Sequence, residues 1–501
     1  MTTHKTFSSV FLDIIIRFRS KPFFTSDVLK LASGTAFAQL LGILTTPLLT
    51  RLYPPEAFGL AAVFISITGI VSAVMCLRYE QAIMLPETDE EAVNLLAVSI
   101  GFAMLVSLLT AFIIWWGKTL LLRALNIDML APYLWLMPVA AWLGGVFNAL
   151  NYWNSRTRQF GRLSVTRMVS SFVTAVATLG AGLIGIATAG AKIGANVGGQ
   201  ALAAIILSGQ IWRDDRKLFI RSLHWRDISL VLKRYRKFPL YDTWSTLLNT
   251  ASWQLPVLLL SSFFSPIVVG HYALGYRILQ LPMNFVGTAI AQVFFQRASG
   301  AYIQGKLDIV VESAFRRLVM VGLFPVLTLT IIGRDLFSVV FGASWAEAGV
   351  YTQILSIWAF FWFISSPLST VFRVLEKQEF LLKWNLFNLI IRFFSLWIGG
   401  VLQNPRLAVF LFSSSGVVVY GYITLAILLQ ANVPMHQAMR VFRKYLLIFL
   451  PAGSILLCLS AIGVSVEIRL LVASLMFACY FLAVTQATAL RSFASTLTDR
   501  S

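Results

Sequence analysis

Two arginines stand in the middle of long apolar stretches. Arg277 lies about ten residues into the stretch that begins at 266, and Arg392 about eleven into the one that begins at 381. At roughly 1.5 Å per residue, both fall near the middle of a membrane-length helix. An Arg at that depth costs roughly 2.5–3.5 kcal/mol on insertion scales, so it must face water, an anion or a partner. A guanidinium offers a planar fork of N–H donors that suits a phosphate or pyrophosphate bidentately. Anion binding is the chemistry this pair could do. The competing role is structural, with the guanidinium satisfied by helix carbonyls or a neighbouring Asn.

Other candidates surround them. Arg78 and Glu80 lie at one end of the second apolar stretch, and Arg51 and Glu56 flank the turn at its other end. Each pair reads either as a gate ion pair or as a stop where a charged headgroup enters or leaves. Tyr272 and Tyr276 share a helix face at i, i+4, next to Arg277. Asn249, Gln254, Asn385, Asn388, Asn148 and Asn151 place amides inside apolar stretches, for hydrogen bonding to hydroxyls or to neighbouring helices. Away from stretch ends, carboxylates are all but missing, and Asp242 sits near its helix's entrance. Organic cations and coupling protons would need buried carboxylates, so anion handling is favoured. Metal-ligand clusters, phosphate-cradling Gly loops and nucleophile elbows are absent from the sequence. A non-enzymatic role without a cofactor is expected.

The elements that position these residues follow from composition. Of 501 residues, 58% are apolar and 12% charged, with a mean hydropathy of +0.79. Soluble domains carry about 25% charged residues, so a soluble protein is excluded, and so is a disordered one. Fourteen stretches reach the roughly 20 apolar residues of a span: 29–50, 57–77, 93–116, 130–151, 164–187, 189–211, 239–262, 266–291, 315–341, 348–371, 381–400, 406–429, 444–463 and 468–489. The N-terminal stretch at 10–18 is interrupted by Asp13 and Arg17 and reads as an interfacial helix, not a secretory signal. Cys76, Cys458 and Cys479 all lie in apolar runs, which argues against a disulfide framework.

Net charge is +19, from 40 Lys and Arg against 21 Asp and Glu. With cytoplasmic termini, all but nine of the 40 fall in or beside cytoplasmic segments. The nine are Arg51, Lys118, Arg123, Lys192, Arg334, Arg406 and Arg469 opposite, and Arg277 and Arg392 at mid-span. That asymmetry obeys the positive-inside rule, which explains the charge better than nucleic-acid binding does. The expected organisation is a cytoplasmic segment 1–28, a six-helix lobe 29–211, a basic linker 212–238, a second six-helix lobe 239–429, and two further spans with a tail, 430–501. DISLVLKRYRKFP in the linker reads as a cationic helix on the anionic leaflet.

The lobes show a faint repeat. TTPLLTRLYPPEAFGLAAVF and QLPVLLLSSFFSPIVVGHYALGYR each carry a Pro on the first helix (Pro47, Pro256), a Pro in the turn, and a Gly early on the second helix (Gly59, Gly270). Parallel repeats of this kind place a substrate path at their interface. In the sixth span Gly190, Gly194 and Gly198 form overlapping GxxxG units, expected to give close helix packing.

SGTAFAQLLGILTTPLLTRLYPPEAFG and LRYEQAIMLPETDEEA resemble the start of bacterial polysaccharide (Wzx-type) flippases of the multidrug/oligosaccharidyl-lipid/polysaccharide exporter superfamily. VVGHYALGYRILQLP and SSPLSTVFRVLEKQ resemble its second half. The resemblance implies an all-α polytopic membrane protein of about fourteen helices, in two pseudo-symmetric six-helix lobes plus two C-terminal helices. It implies movement of undecaprenyl-pyrophosphate-linked oligosaccharide to the periplasmic leaflet of the bacterial inner membrane by alternating access. Na⁺ or H⁺ is a possible coupling ion. Expected partners are the lipid-linked substrate, membrane lipids, a polysaccharide polymerase and a chain-length regulator. Under this reading Arg277, Arg392, Arg78, Arg51, Tyr272, Tyr276, Asn249 and Asn388 handle substrate, and Glu80, Asp242 and Glu56 gate or couple. A lipid II flippase is the alternative within transport. A membrane polymerase or glycosyltransferase is the alternative outside it, and the absence of a large extramembrane loop speaks against that class.

Overall fold

The computed structural model describes residues 22–498, and the interfacial helix expected at 10–18 lies outside them. Fourteen long helices follow one another at the positions of the fourteen expected spans. They are α1 (Pro22–Leu52), α2 (Pro55–Val74), α3 (Asp89–Leu125), α4 (Leu136–Arg156), α5 (Phe160–Leu183), α6 (Ala189–Ser222), α7 (Thr243–Phe263), α8 (Pro266–Pro282), α9 (Leu307–Phe341), α10 (Ala346–Leu368), α11 (Gln378–Val401), α12 (Pro405–Gln430), α13 (Met435–Ala461) and α14 (Val466–Thr498). No strand occurs among the described residues. Ten of the fourteen are long and apolar enough to cross a membrane. Of the others, α4 and α7 are diluted by Thr, Asn and Gln, and α8 breaks at Pro282 into a π-helical turn, Met283–Gly287, before Thr288–Ile303 resumes. Helices diluted in this way suit a polar interior better than a lipid face.

Local chemistry sets the helix ends. Thr88 caps α3, accepting from the Glu91 N–H, and Asp89, Glu90 and Glu91 in the first turn complement the helix dipole. Thr188 caps α6 by accepting from the Ala191 N–H. Asn404 accepts from the Leu407 N–H ahead of Pro405. Along α3, Trp115 and Trp116 are 66% and 83% exposed, as lipid-facing or interfacial residues are.

Contacts divide the described residues into two units, one of residues 26–274 with 389–408, the other of 22–25, 275–388 and 409–498. The divisions fall within α1, α8, α11 and α12. In the first unit α2 meets α7, where the Ser66 hydroxyl donates to Gln254 Oε1 at 3.0 Å. The repeat glycines meet reciprocally. A Cβ on Gly59 would lie 1.8 Å from the Pro266 carbonyl oxygen, and one on Gly270 would lie 2.0 Å from that of Pro55. The region read as a basic linker is mostly helical, since α6 runs on to Ser222 and a further helix spans Trp225–Arg234. That helix is held by the Tyr79 hydroxyl, which donates to the Leu232 carbonyl, and by Arg234 on Glu91 at 2.9 Å.

The GxxxG expectation is corrected. Gly194 and Gly198 have no neighbour that a Cβ would meet, whereas Gly199 abuts Thr174 on α5 and Gly190 abuts Tyr133. One residue turns a helix by about 100°, so spacing alone locates the stripe but not its register.

In the second unit α9 and α10 cross tightly where Gly349 meets the Gly333 carbonyl. Helices α13 and α14 pack on α9 through Phe324, Phe449 and Tyr480, with the Phe324 and Tyr480 rings stacked 4.4 Å apart. Arg469 on α14 pairs with Asp335 on α9 at 2.6 Å, both largely buried. Asp335 is thus a carboxylate inside an expected span besides Asp242, and it is spent on anchoring the last helix. Cys76 is buried, Cys458 and Cys479 are exposed, and all three are free thiols.

Candidate functional site

The two mid-span arginines end up in opposite surroundings. Arg277, on α8, is exposed. Beside it, the Tyr276 ring stacks on Trp358 and Trp362 of α10, with centroids 6.1 and 6.3 Å away. Such stacks favour one ring orientation, so the residue preceding Arg277 is fixed in place. Gly275 permits this by bringing α8 onto α10, where its Cβ would meet Thr352 Oγ1 at 2.7 Å. Arg392, on α11, is 3% exposed. Its Nη1 donates to the Ser252 carbonyl and hydroxyl at 3.4 and 3.5 Å, and its guanidinium lies 4.5 Å from the Trp253 ring centroid. A neighbouring helix thus offers Arg392 the carbonyl, hydroxyl and ring that the structural reading of this residue calls for.

The polar uncharged candidates also separate. Tyr272 is buried at 2% exposure, and Tyr276 belongs to the aromatic stack. Asn388 is buried and its Nδ2 donates to the Tyr420 hydroxyl at 3.4 Å, while Asn249 on α7 is exposed. Arg51 is exposed at the end of α1. Glu56 is half-buried in the first turn of α2, where the dipole favours an acid.

Arg78, Glu80 and Asp242 do come together. Arg78 Nε donates to Asp242 Oδ2 at 2.7 Å and its Nη1 to Glu80 Oε1 at 3.3 Å. The cluster joins the connection between α2 and α3 to the π-helical turn Phe238–Asp242 that leads into α7. Leu77 and Arg78 adopt φ of 47° and 64°. Left-handed backbone costs a non-glycine residue roughly 1–3 kcal/mol, and here the ion pairs hold it. Glu80 is 4% exposed and its Oε2 has no hydrogen-bond partner. Burial pushes its carboxyl above the usual range, against its backbone hydrogen bond and the Arg78 charge, with the Asp242 charge adding to the rise.

A carboxyl raised in the folded state binds its proton more tightly there than in the unfolded chain, so folding loses stability as pH rises from about 4.5 through the raised value. Glu80→Gln should therefore match the parent near pH 4 and melt higher than it at neutral and mildly alkaline pH. Thermal melts across that range check this, and a gap that is constant or reversed would contradict it.

Two further cations are held in ways the sequence did not mark. Lys192, counted in the sequence among the cations opposite the cytoplasmic side, sits 3.3 Å over the Phe58 ring centroid and 5.7 Å from that of Tyr53, a cation–π clamp beside Gly59. Arg167, on α5, donates to the Thr35 hydroxyl of α1 at 2.9 Å. Aromatic partners distant in sequence leave no local signal, so only Lys192's apolar neighbourhood could have hinted at the first.

A family profile described as “Polysaccharide biosynthesis protein” matches residues 48–350, more than half of the chain. No curated protein matches the sequence. The chain is similar to a solved structure described as “Lipid II flippase MurJ, inward closed conformation”, with a TM-score of 0.70 and 12% identity over 92% of this chain and 99% of that one. It is similar to an inward-facing multidrug resistance MATE family transporter of the MOP superfamily, with a TM-score of 0.65 and 15% identity over 80% and 98% of the two chains. An outward-facing MATE family structure gives a TM-score of 0.50 and 14% identity over 83% and 95%. At these identities the likeness concerns the fold. With its fourteen helices in that fold and the family match across its first half and beyond, the chain belongs to the polysaccharide biosynthesis protein family.

Proposed function

We propose that this protein flips an undecaprenyl-pyrophosphate-linked oligosaccharide from the cytoplasmic to the periplasmic leaflet of a bacterial inner membrane, with both termini cytoplasmic. The observation that carries this reading is Arg277, exposed in the middle of α8 in a chain of the polysaccharide biosynthesis family. An exposed guanidinium at that depth is costly against lipid and well placed in a wet chamber that receives a pyrophosphate. Arg78 receives the headgroup at the entrance and Arg51 meets it at the exit, while Glu80, Asp242 and Glu56 act at the gates. An inside-negative potential favours outward movement of an anion by about 2.3 kcal/mol per charge per 100 mV. Na⁺ or H⁺ counter-transport supplies further drive, and a polymerase and chain-length regulator take the product.

A lipid II flippase is the second reading, motivated by the likeness to MurJ. Reconstitution in vesicles with either lipid, fluorescently tagged, separates the two. Potential-dependent movement of the oligosaccharide lipid between leaflets is expected. Movement of lipid II alone would replace the first reading with the second, and movement of neither by folded protein would end both.

A further inference from the structure

Within the first unit, α2, α4, α5 and α6 line a half-open pocket of about 370 Å³, inside the roughly 300–1,000 Å³ range of small-molecule sites. Neither an acid nor a base lines it. Its polar side chains are Thr68 and Ser72 from α2, Asn148 from α4, Ser170 from α5, and Asn196 and Gln200 from α6. Phe147 adds an aromatic wall. Asn148 lies twelve residues into α4 and Asn196 seven into α6, about 18 and 10 Å along their helices. The cavity therefore sits at the depth where transporters of repeat architecture hold substrate.

Its hydrogen-bonding capacity is partly used. Ser170 donates to the Gly199 carbonyl at 2.7 Å, Thr68 to that of Phe64 at 2.8 Å, and Ser72 to that of Ala141 at 3.4 Å. Gln200 Nε2 donates to Asn196 Oδ1 at 3.0 Å. What remains among the described contacts is the Asn196 amide N–H₂, the Gln200 carbonyl oxygen, and both ends of the exposed Asn148 amide. A cation would call for acceptors alone, preferably charged, and an anion for donors alone. A neutral group whose hydroxyls both donate and accept matches this mixed set.

We propose that this cavity is a subsite for a neutral sugar ring of the lipid-linked glycan, separate from the guanidinium that takes the pyrophosphate. The inference rests on the flippase reading. The amides read the hydroxyls, and Phe147 offers a flat wall to a pyranose face. Sugar and phosphate are then recognised by different helices.

The test titrates purified full-length protein with two probes, undecaprenyl pyrophosphate and the same lipid bearing one N-acetylglucosamine. The parent is expected to bind the sugar-bearing lipid about tenfold more tightly, the effect of one or two net hydrogen bonds. Asn148→Leu and Gln200→Leu should erase that preference and leave binding of the sugar-free lipid in place. Should either variant melt early, Asn196→Ala, which trims instead of filling, replaces it. Equal binding of both lipids by the parent, or a preference that survives the substitutions, would overturn the subsite and leave the flippase reading standing. Binding of neither lipid by folded parent would overturn both.

Discussion

Arg277→Ala should lower flipping about 10- to 100-fold, the loss expected when a charge-assisted hydrogen-bond pair to a phosphate is removed. Arg277→Lys should recover only part of it, because an ammonium keeps the charge but not the planar fork. Arg392→Ala provides the contrast. Its guanidinium is already engaged by Ser252 and Trp253, so the variant should melt several degrees lower while its dependence on pyrophosphate-bearing lipid stays unchanged. Vesicle transport and melting temperature, measured on all three, check the assignment. Full transport by the Arg277→Ala protein would remove the anion anchor, and loss of headgroup selectivity in the Arg392 variant would show that the buried arginine reaches substrate after all.

Alanine at Gly59 or Gly270 should have an effect of similar size by a different route. Each new methyl would press on a backbone carbonyl at 1.8 or 2.0 Å, and a carbonyl in a helix's first turn has no rotamer to change. The starts of α2 and α8 must then separate by more than an ångström. Overpacking of this kind costs about 1–3 kcal/mol, a shift of roughly 5- to 150-fold between close and separated forms. A cysteine placed at the buried Ala57 should react faster with a membrane-impermeant maleimide in either variant, and transport should fall. Because the two contacts are reciprocal, the double variant should be little worse than either single one. Unchanged labelling in both single variants, or strictly additive losses, would show that this contact does not hold the two helix starts together.

Much of the fold was legible because a span is a local property. Hydropathy is read within about twenty residues, and the fourteen helices fall where that signal lies. The repeat was legible too, since Gly59 and Gly270 are matched by their neighbours in sequence. Their mutual contact was not, because nothing local says which repeat packs on which. The GxxxG register failed for a related reason. Spacing of four fits any face of a helix, and the partner α5 selected Gly199 over Gly198.

The candidate site divides along the same line. Arg277 and Arg392 are near equivalents in the chain, each at mid-span among apolar residues. Only packing separated them, by setting Ser252 and Trp253 around one and leaving the other exposed. The polar cavity of α2, α4, α5 and α6 shows in the chain as scattered amides, each as suited to interhelical bonding as to a ligand. Sequence by itself determined the membrane class, the number and order of the long helices, the charge asymmetry and the shortage of intramembrane acids, since these depend on composition and short-range pattern. Tertiary structure alone decided which polar groups are buried between helices and which are exposed, because helix rotation and choice of neighbour arise from contacts between different helices, beyond the reach of any local pattern.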